Sequence, residues 1–238
     1  MERKKISAMV VGALTLVAVL GAAGQARAQE RYPRMAPLGE YLMHRDAEIA
    51  LARSAAPVAI SRDAEILVLG RRGFETAVKG KNGFICLVER SWFAPFDWPE
   101  FWNPKVRGPN CYNAPAGRTI LRLNLERTEL ALAGLSKTQI MKRIQAAAAK
   151  KGAPAVEPDS LCYMMSKQAY LTDQGGHDLA HLMLYTPAGN RAEWGSDLPG
   201  SPVSLRQPRV PGVPGHIREI VIQVPVWSDG SPAPADPQ

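Results

Sequence analysis

Ala64-Glu65-Ile66-Leu67-Val68-Leu69, Glu75-Thr76-Ala77-Val78-Lys79 and Phe84-Ile85-Cys86-Leu87-Val88 are three short runs of strand-forming residues. Gly70-Arg71-Arg72-Gly73 separates the first two, and Gly80-Lys81-Asn82-Gly83 separates the second from the third. Asn-Gly supplies the positive φ angles of a tight hairpin turn, so residues 64–90 read as a three-stranded antiparallel meander. The third run is apolar at Phe84, Cys86 and Val88 and also at Ile85 and Leu87. A strand apolar on both alternating faces belongs in a sheet interior, covered on each side.

Upstream of the meander, Leu38, Leu42, Ile49 and Ala52 fall near helical spacing. They predict an N-terminal helix over 38–52 that stops before Pro57, because the residue before a proline disfavours helix. Downstream, residues 91–117 form an aromatic-rich irregular segment holding Trp92, Phe93, Phe96, Trp98, Phe101, Trp102 and Tyr112. Leu121, Leu125 and Leu132 then predict a helix over 118–133, ended by Gly134. Ser136 and Gln139 have the spacing of a capping box, and they open a second helix over 137–150. These two helices read as a hairpin. Strand-like runs return at 161–165, 179–185 and 217–226, the last alternating Ile217, Glu219, Val221, Gln223 against Arg218, Ile220, Ile222, Val224. The sum is an α+β domain: an antiparallel sheet of about five to six strands interrupted by a helical hairpin, after one N-terminal helix. The Pro- and Gly-rich stretch 187–216 is long for a loop inside a compact domain, and such stretches often form binding loops or lids. Residues 228–238, with Pro232, Pro234 and Pro237, read as a disordered tail, which leaves 29–227 as the single domain.

Residues 1–28 have the three parts of a secretory signal peptide. Arg3, Lys4 and Lys5 come first, an apolar stretch covers 6–20, and Ala26-Arg27-Ala28 forms an A-x-A cleavage site before Gln29. The apolar stretch falls short of the roughly 20 residues a spanning helix needs, so no membrane span is expected after cleavage. The chain is therefore expected to work in the periplasm or as a secreted protein. The segment carries four of the 29 Lys+Arg and one of the 22 Asp+Glu, so its removal lowers the net charge from +7 to +4. That modest balance, with no block of like charges, argues against nucleic acid as a partner.

Cys86, Cys111 and Cys162 are the three cysteines. Outside the cytoplasm two are expected to pair, and Cys86 with Cys111 would staple the segment between them. Cys162 lies in the apolar run Leu161-Cys162-Tyr163-Met164-Met165, which suits a buried thiol. No C-x-x-C occurs, which disfavours thiol oxidoreductase chemistry, and no cofactor is implied.

Two groups of residues carry what functional signal there is. His177 and His181 form H-x-x-x-H, with Met183 as a soft ligand nearby, a pattern that could hold a metal. On a helix that spacing puts both imidazoles on one face. On a strand the two ends lie roughly 13 Å apart, so packing is the alternative role. The aromatic residues Trp92, Trp98, Trp102 and Trp194 could stack on a ligand, or simply close over the sheet as core. No G-x-S-x-G, S-x-x-K or H-E-x-x-H motif marks a hydrolase. A Cys162–His181 pair is conceivable, although an apolar setting raises a thiol pKa and works against nucleophilicity.

Several strings occur together: Ser54-Ala55-Ala56-Pro57, Leu67-Val68-Leu69-Gly70, Asn82-Gly83-Phe84, Cys86-Leu87-Val88-Glu89-Arg90-Ser91-Trp92, Phe101-Trp102-Asn103-Pro104, His181-Leu182-Met183, Trp194-Gly195, Pro199-Gly200-Ser201-Pro202 and Trp227-Ser228-Asp229-Gly230. In these the chain resembles a family of exported bacterial proteins to which no activity is assigned. The resemblance implies export and a single domain, and it transfers no catalytic residue. It also implies His-Pro-His where this chain has Leu179-Ala180-His181, so only His181 of that pair is present here. The expectation is an exported protein that binds a small ligand without catalysis. A hydrolase and a cell-envelope interaction protein are the alternatives.

Overall fold

The computed structural model describes residues 31–150, 155–175, 179–187, 191–196, 198–206 and 217–234. Segment 1–28, His177, much of the 187–216 stretch and the last four residues lie outside the described residues. The chain is α+β, and among the described residues the strands join one eight-stranded mixed sheet in the order β2-β1-β3-β4-β5-β6-β8-β7. The strands are β1 (Glu65–Gly70), β2 (Gly73–Val78), β3 (Ile85–Glu89), β4 (Gly108–Tyr112), β5 (Leu161–Met164), β6 (His181–Thr186), β7 (Val203–Leu205) and β8 (Arg218–Gln223). The expectation of five to six antiparallel strands is thus corrected in number and in direction.

The direction changes at β3. β1 and β2 form the expected hairpin, but β3 pairs with β1 in parallel, not with β2. Gly80-Lys81-Asn82-Gly83, expected to be a second hairpin turn, instead carries the chain past the start of β1. Gly80 runs so close there that a Cβ would lie 2.4 Å from the Glu65 nitrogen, which leaves glycine as the residue that fits. Lys81 N–H donates to Asp63 O at 2.7 Å, Asn82 Nδ2 to Ile60 O at 2.7 Å and Phe84 N–H to Asn82 Oδ1 at 3.1 Å. The apolar character of β3 explains the outcome. Inside the sheet it is covered on both faces, while β2, with Glu75 and Thr76 exposed, takes the edge.

Two strands were not foreseen. β4 lies within the aromatic segment, where Gly108-Pro109-Asn110 carries no strand propensity. The three-residue β7 lies in the Pro/Gly-rich stretch.

One face of the sheet packs on α1 (Arg45–Arg53), which is followed by the four-residue α2 (Val58–Ser61). Ala52, Ala55, Ala56, Ile66 and Val88 form this smaller core. Cys86 and Cys111 sit directly opposite each other on β3 and β4 on this face, at disulfide distance with Sγ atoms 2.01 Å apart. The N-terminal helix begins later than the spacing predicted, because residues 38–40 form only a single 3₁₀ turn. That turn sets Tyr41 into the core, its hydroxyl donating to Trp102 O at 2.7 Å.

The opposite face holds the larger core, with Leu87, Tyr112, Cys162, Met183, Tyr185 and Val221 beneath the helical hairpin and the aromatic segment. Asn113 caps α3 (Ala114–Ala116), whose path continues through a π-helical turn (Gly117–Leu121) into α4 (Arg122–Leu132). Gly134, at φ +81°, follows the end of α4, and the Ser136–Gln139 capping box opens α5 (Lys137–Ala148). Residues 228–233 make definite contacts. Ser228 N–H donates to Met165 O at 2.9 Å, Ala233 N–H to Pro225 O at 2.9 Å, and Lys167 pairs with Asp229. No helix among the described residues is long and apolar enough to cross a membrane.

Candidate functional site

Alternation along the strands puts Glu89 (β3), Gly108 (β4), Met164 (β5), His181 and Met183 (β6) and Glu219 (β8) on the larger-core face, by the observed registers. No residue of the helical hairpin lines this end of the face. The gap is bridged by residues 93–98, by Val106 and by Leu171-Thr172, which leaves a cleft of about 170 Å³. Its walls are mainly apolar, with Phe93, Val106, Met164, Leu171 and Met183, and Trp98 forms a rim at 37% exposure. Gly108 helps to keep the space open. A Cβ there would approach Met164 Cε to 3.0 Å and Leu171 Cδ2 to 3.1 Å.

Ionisable side chains converge on this apolar space. Glu89, His181 and Glu219 are all buried and all line it, with the exposed Arg206 on its open side. The Glu89 carboxylate accepts hydrogen bonds from the Tyr112 hydroxyl and from Asn110 Nδ2 (3.0 Å). Tyr112 in turn accepts from Asn124 Nδ2 at 3.0 Å, so Glu89 is oriented from α4 through β4. His181 Nδ1 lies 2.6 Å from the carbonyl oxygen of Leu179. A carbonyl only accepts, so Nδ1 carries the hydrogen. Arg90 also borders the cleft, but its guanidinium is spent on Glu48 at 2.8 Å and on the carbonyls of Tyr41 and Val88. Burial pulls the Arg90 pKa below its ordinary value, and the charge of Glu48 opposes that shift.

The structure sorts the residues singled out from sequence. Trp98, His181 and Met183 meet at the cleft. Trp92 is core: its ring packs 4.9 Å from that of Tyr41, and its Nε1–H donates to Thr128 Oγ1 at 3.0 Å. Trp102 is core as well, edge-on to Phe101 at 4.7 Å. Trp194 lies on a short 3₁₀ turn (Arg191–Trp194), 39% exposed and away from the cleft walls. With His177 outside the described residues, the H-x-x-x-H pair has no geometry. Among the described residues no group of three or more His, Cys, Asp or Glu could hold a metal ion. Cys162 stands opposite Met183 while His181 stands opposite Met164, so the two are diagonal neighbours on β5 and β6. The Cys162 thiol meets the Tyr185 hydroxyl at 3.2 Å and does not line the cleft.

Glu89 and Glu219 were not marked as site residues by sequence. The alternation of residues 217–226 does place Glu219 with Val221 on one face, but which face is buried depends on strands far away in the chain. Comparison with protein-family models, with curated proteins and with solved structures found no match.

Proposed function

We propose that this is an exported protein that binds a small, ring-sized ligand in the cleft, without covalent chemistry. The observation that carries the reading is the convergence of Glu89, His181 and Glu219 on a mainly apolar space rimmed by Trp98. Apolar walls with a few placed polar groups are the general form of a small-molecule site. A cavity of about 150 Å³ is known to hold benzene, so a space of 170 Å³ suits a single ring with a polar substituent. Export is supported by the sequence of residues 1–28, by the Cys86–Cys111 pair at disulfide distance and by the resemblance to exported bacterial proteins. Native mass spectrometry on the mature protein recovered from the periplasm or medium tests both halves. Mass loss from cleavage after Ala28 and a small adduct released on unfolding are the expected results. An uncleaved chain retained in the cytoplasm would contradict the export reading.

One observation favours a second reading, an acid–base hydrolase. The Leu179 carbonyl orients His181 as a catalytic histidine is oriented, in a cleft shared with two carboxylates. Turnover of p-nitrophenyl acetate that disappears in His181→Gln would favour this reading over simple binding.

A further inference from the structure

The outer wall of the cleft is not part of the sheet. It is the turn that carries Leu171 and Thr172, and it faces the rim segment that carries Trp98. A backbone bridge anchors its inner end: Arg107 N–H donates to Tyr170 O at 2.7 Å and Tyr170 N–H to Arg107 O at 2.9 Å. Two acids behind the wall hold the rest. Glu100, 5% exposed, accepts from Thr172 Oγ1 at 2.8 Å, from the Asp173 N–H at 3.1 Å and from Asn103 Nδ2 at 2.7 Å. Asp173, its side chain also 5% exposed, accepts from the Tyr32 hydroxyl at 2.6 Å and from the Tyr170 hydroxyl. Arg31 at 2.6 Å and Lys105 at 3.4 Å supply the balancing charge.

We propose that Glu100 and Asp173 are positioning residues that set the distance between the cleft's outer wall and its Trp98 rim. Its bearing on function rests on the cleft being the ligand site. It makes Arg31 and Tyr32, far away in sequence, part of the frame of that site. Glu100 follows Trp98 by two residues, and the Phe101 N–H donates to Trp98 O at 3.3 Å, so one short turn carries both the rim and the grip on residue 172. A carboxylate that accepts three donors has few orientations left, and charge-assisted bonds are the stronger kind. Its own donors hold Asp173 ionised. The phenols of Tyr170 and Tyr32 keep its carboxyl well below the usual carboxylate range, and the Tyr32 phenol, through burial and its bond to Asp173, is pushed up to about 12. Asp173 therefore keeps one charge state across the neutral range.

The test uses the full mature chain labelled with 5-fluorotryptophan, with the Trp98 fluorine resonance assigned by Trp98→Phe. Asp173→Asn and Glu100→Gln are expected to move that resonance. They should also speed hydrogen exchange of amides 170–174 by about tenfold, while the β3 and β4 amides keep their protection. Where Asp173→Asn fails to fold, Tyr32→Phe and Thr172→Val each remove one donor and give smaller shifts in the same direction. An unmoved Trp98 resonance with unchanged exchange at 170–174 in folded variants overturns the proposal. Loss of protection spread evenly across the sheet overturns it too, since the pair would then be plain stability. Binding of benzyl alcohol, benzamidine and benzoate is measured in parallel. If the wall responds but none of the three binds wild type, the ligand reading fails and the wall assignment stands.

Discussion

Glu48 on α1 and Arg90 just past β3 meet at 2.8 Å with side chains 1% and 0% exposed. The same Glu48 oxygen accepts the Leu69 N–H at 3.1 Å, so the pair ties the helix to two central strands at once. Removing one partner leaves a buried charge without compensation, a loss of about 3–5 kcal/mol. Glu48→Gln is expected to lower folding stability by that order in urea unfolding followed by circular dichroism. A loss below about 1 kcal/mol, the level of a surface pair, would show that the pair is less buried than described.

The Cys86–Cys111 pair closes a segment of 25 residues between neighbouring strands. Cross-linking a loop of that size stabilises by roughly 3 kcal/mol in the chain-entropy account. The Cys86→Ser/Cys111→Ser protein is predicted to unfold at lower urea concentration by that order. Reductant should shift wild type toward the double variant and leave the double variant where it is. A reductant-insensitive wild type would mean that the pair does not form in solution.

Asp173 titrates lower in the folded chain than in the unfolded one, so its contribution to stability is fully present above the unfolded carboxylate range and is lost as pH falls through and below it. Tyr32 runs the other way. Its raised phenol contributes below the unfolded value of about 10 and loses that contribution as pH rises toward 12. The stability gap between wild type and Asp173→Asn is expected to be flat from neutral pH to about pH 5 and to shrink below about pH 4. Urea midpoints measured across that range decide it, and a gap that widens in acid would contradict the assignment.

Gly108→Ala puts a methyl 3.0 Å from Met164 Cε and 3.1 Å from Leu171 Cδ2. Both neighbours are ends of flexible side chains, so the protein is expected to fold with a change in stability near 1 kcal/mol. The added carbon should narrow the cleft and weaken ring-sized probes about tenfold or more. Calorimetry against the wild type reads the loss, and unchanged affinity would move the ligand elsewhere.

The fold was legible where local chemistry and final pairing agree. The β1–β2 hairpin, the Ser136 capping box and the strands β5, β6 and β8 follow from turn residues and alternation. β4 was not legible, because Gly108-Pro109-Asn110-Cys111-Tyr112 becomes a strand through its neighbours: β3 pairs along its whole length and Cys111 is fixed opposite Cys86. The parallel β1–β3 pair was hidden for a similar reason. Asn82-Gly83 has hairpin chemistry, and only the passage of Gly80 against Glu65 shows that the chain crosses over instead. At the site, Trp98, His181 and Met183 were visible by residue type. Glu89 and Glu219 look like solvated carboxylates until strands more than a hundred residues apart in the chain bury them together.

The central claim is that the cleft between Glu89, His181 and Glu219 takes a ring-sized ligand. Its most direct test is titration of the ¹³C-methyl-methionine-labelled mature protein with benzyl alcohol, benzamidine and benzoate, watching Met164 and Met183 on the cleft wall and Met141 on α5 as the remote control. The account predicts that at least one probe saturates with millimolar or tighter affinity, about −4 kcal/mol or better. It should move the Met164 and Met183 resonances, spare Met141, and lose its effect in Gly108→Ala. Resonances of Met164 and Met183 that stay in place with all three probes, or that move equally in Gly108→Ala, would contradict it.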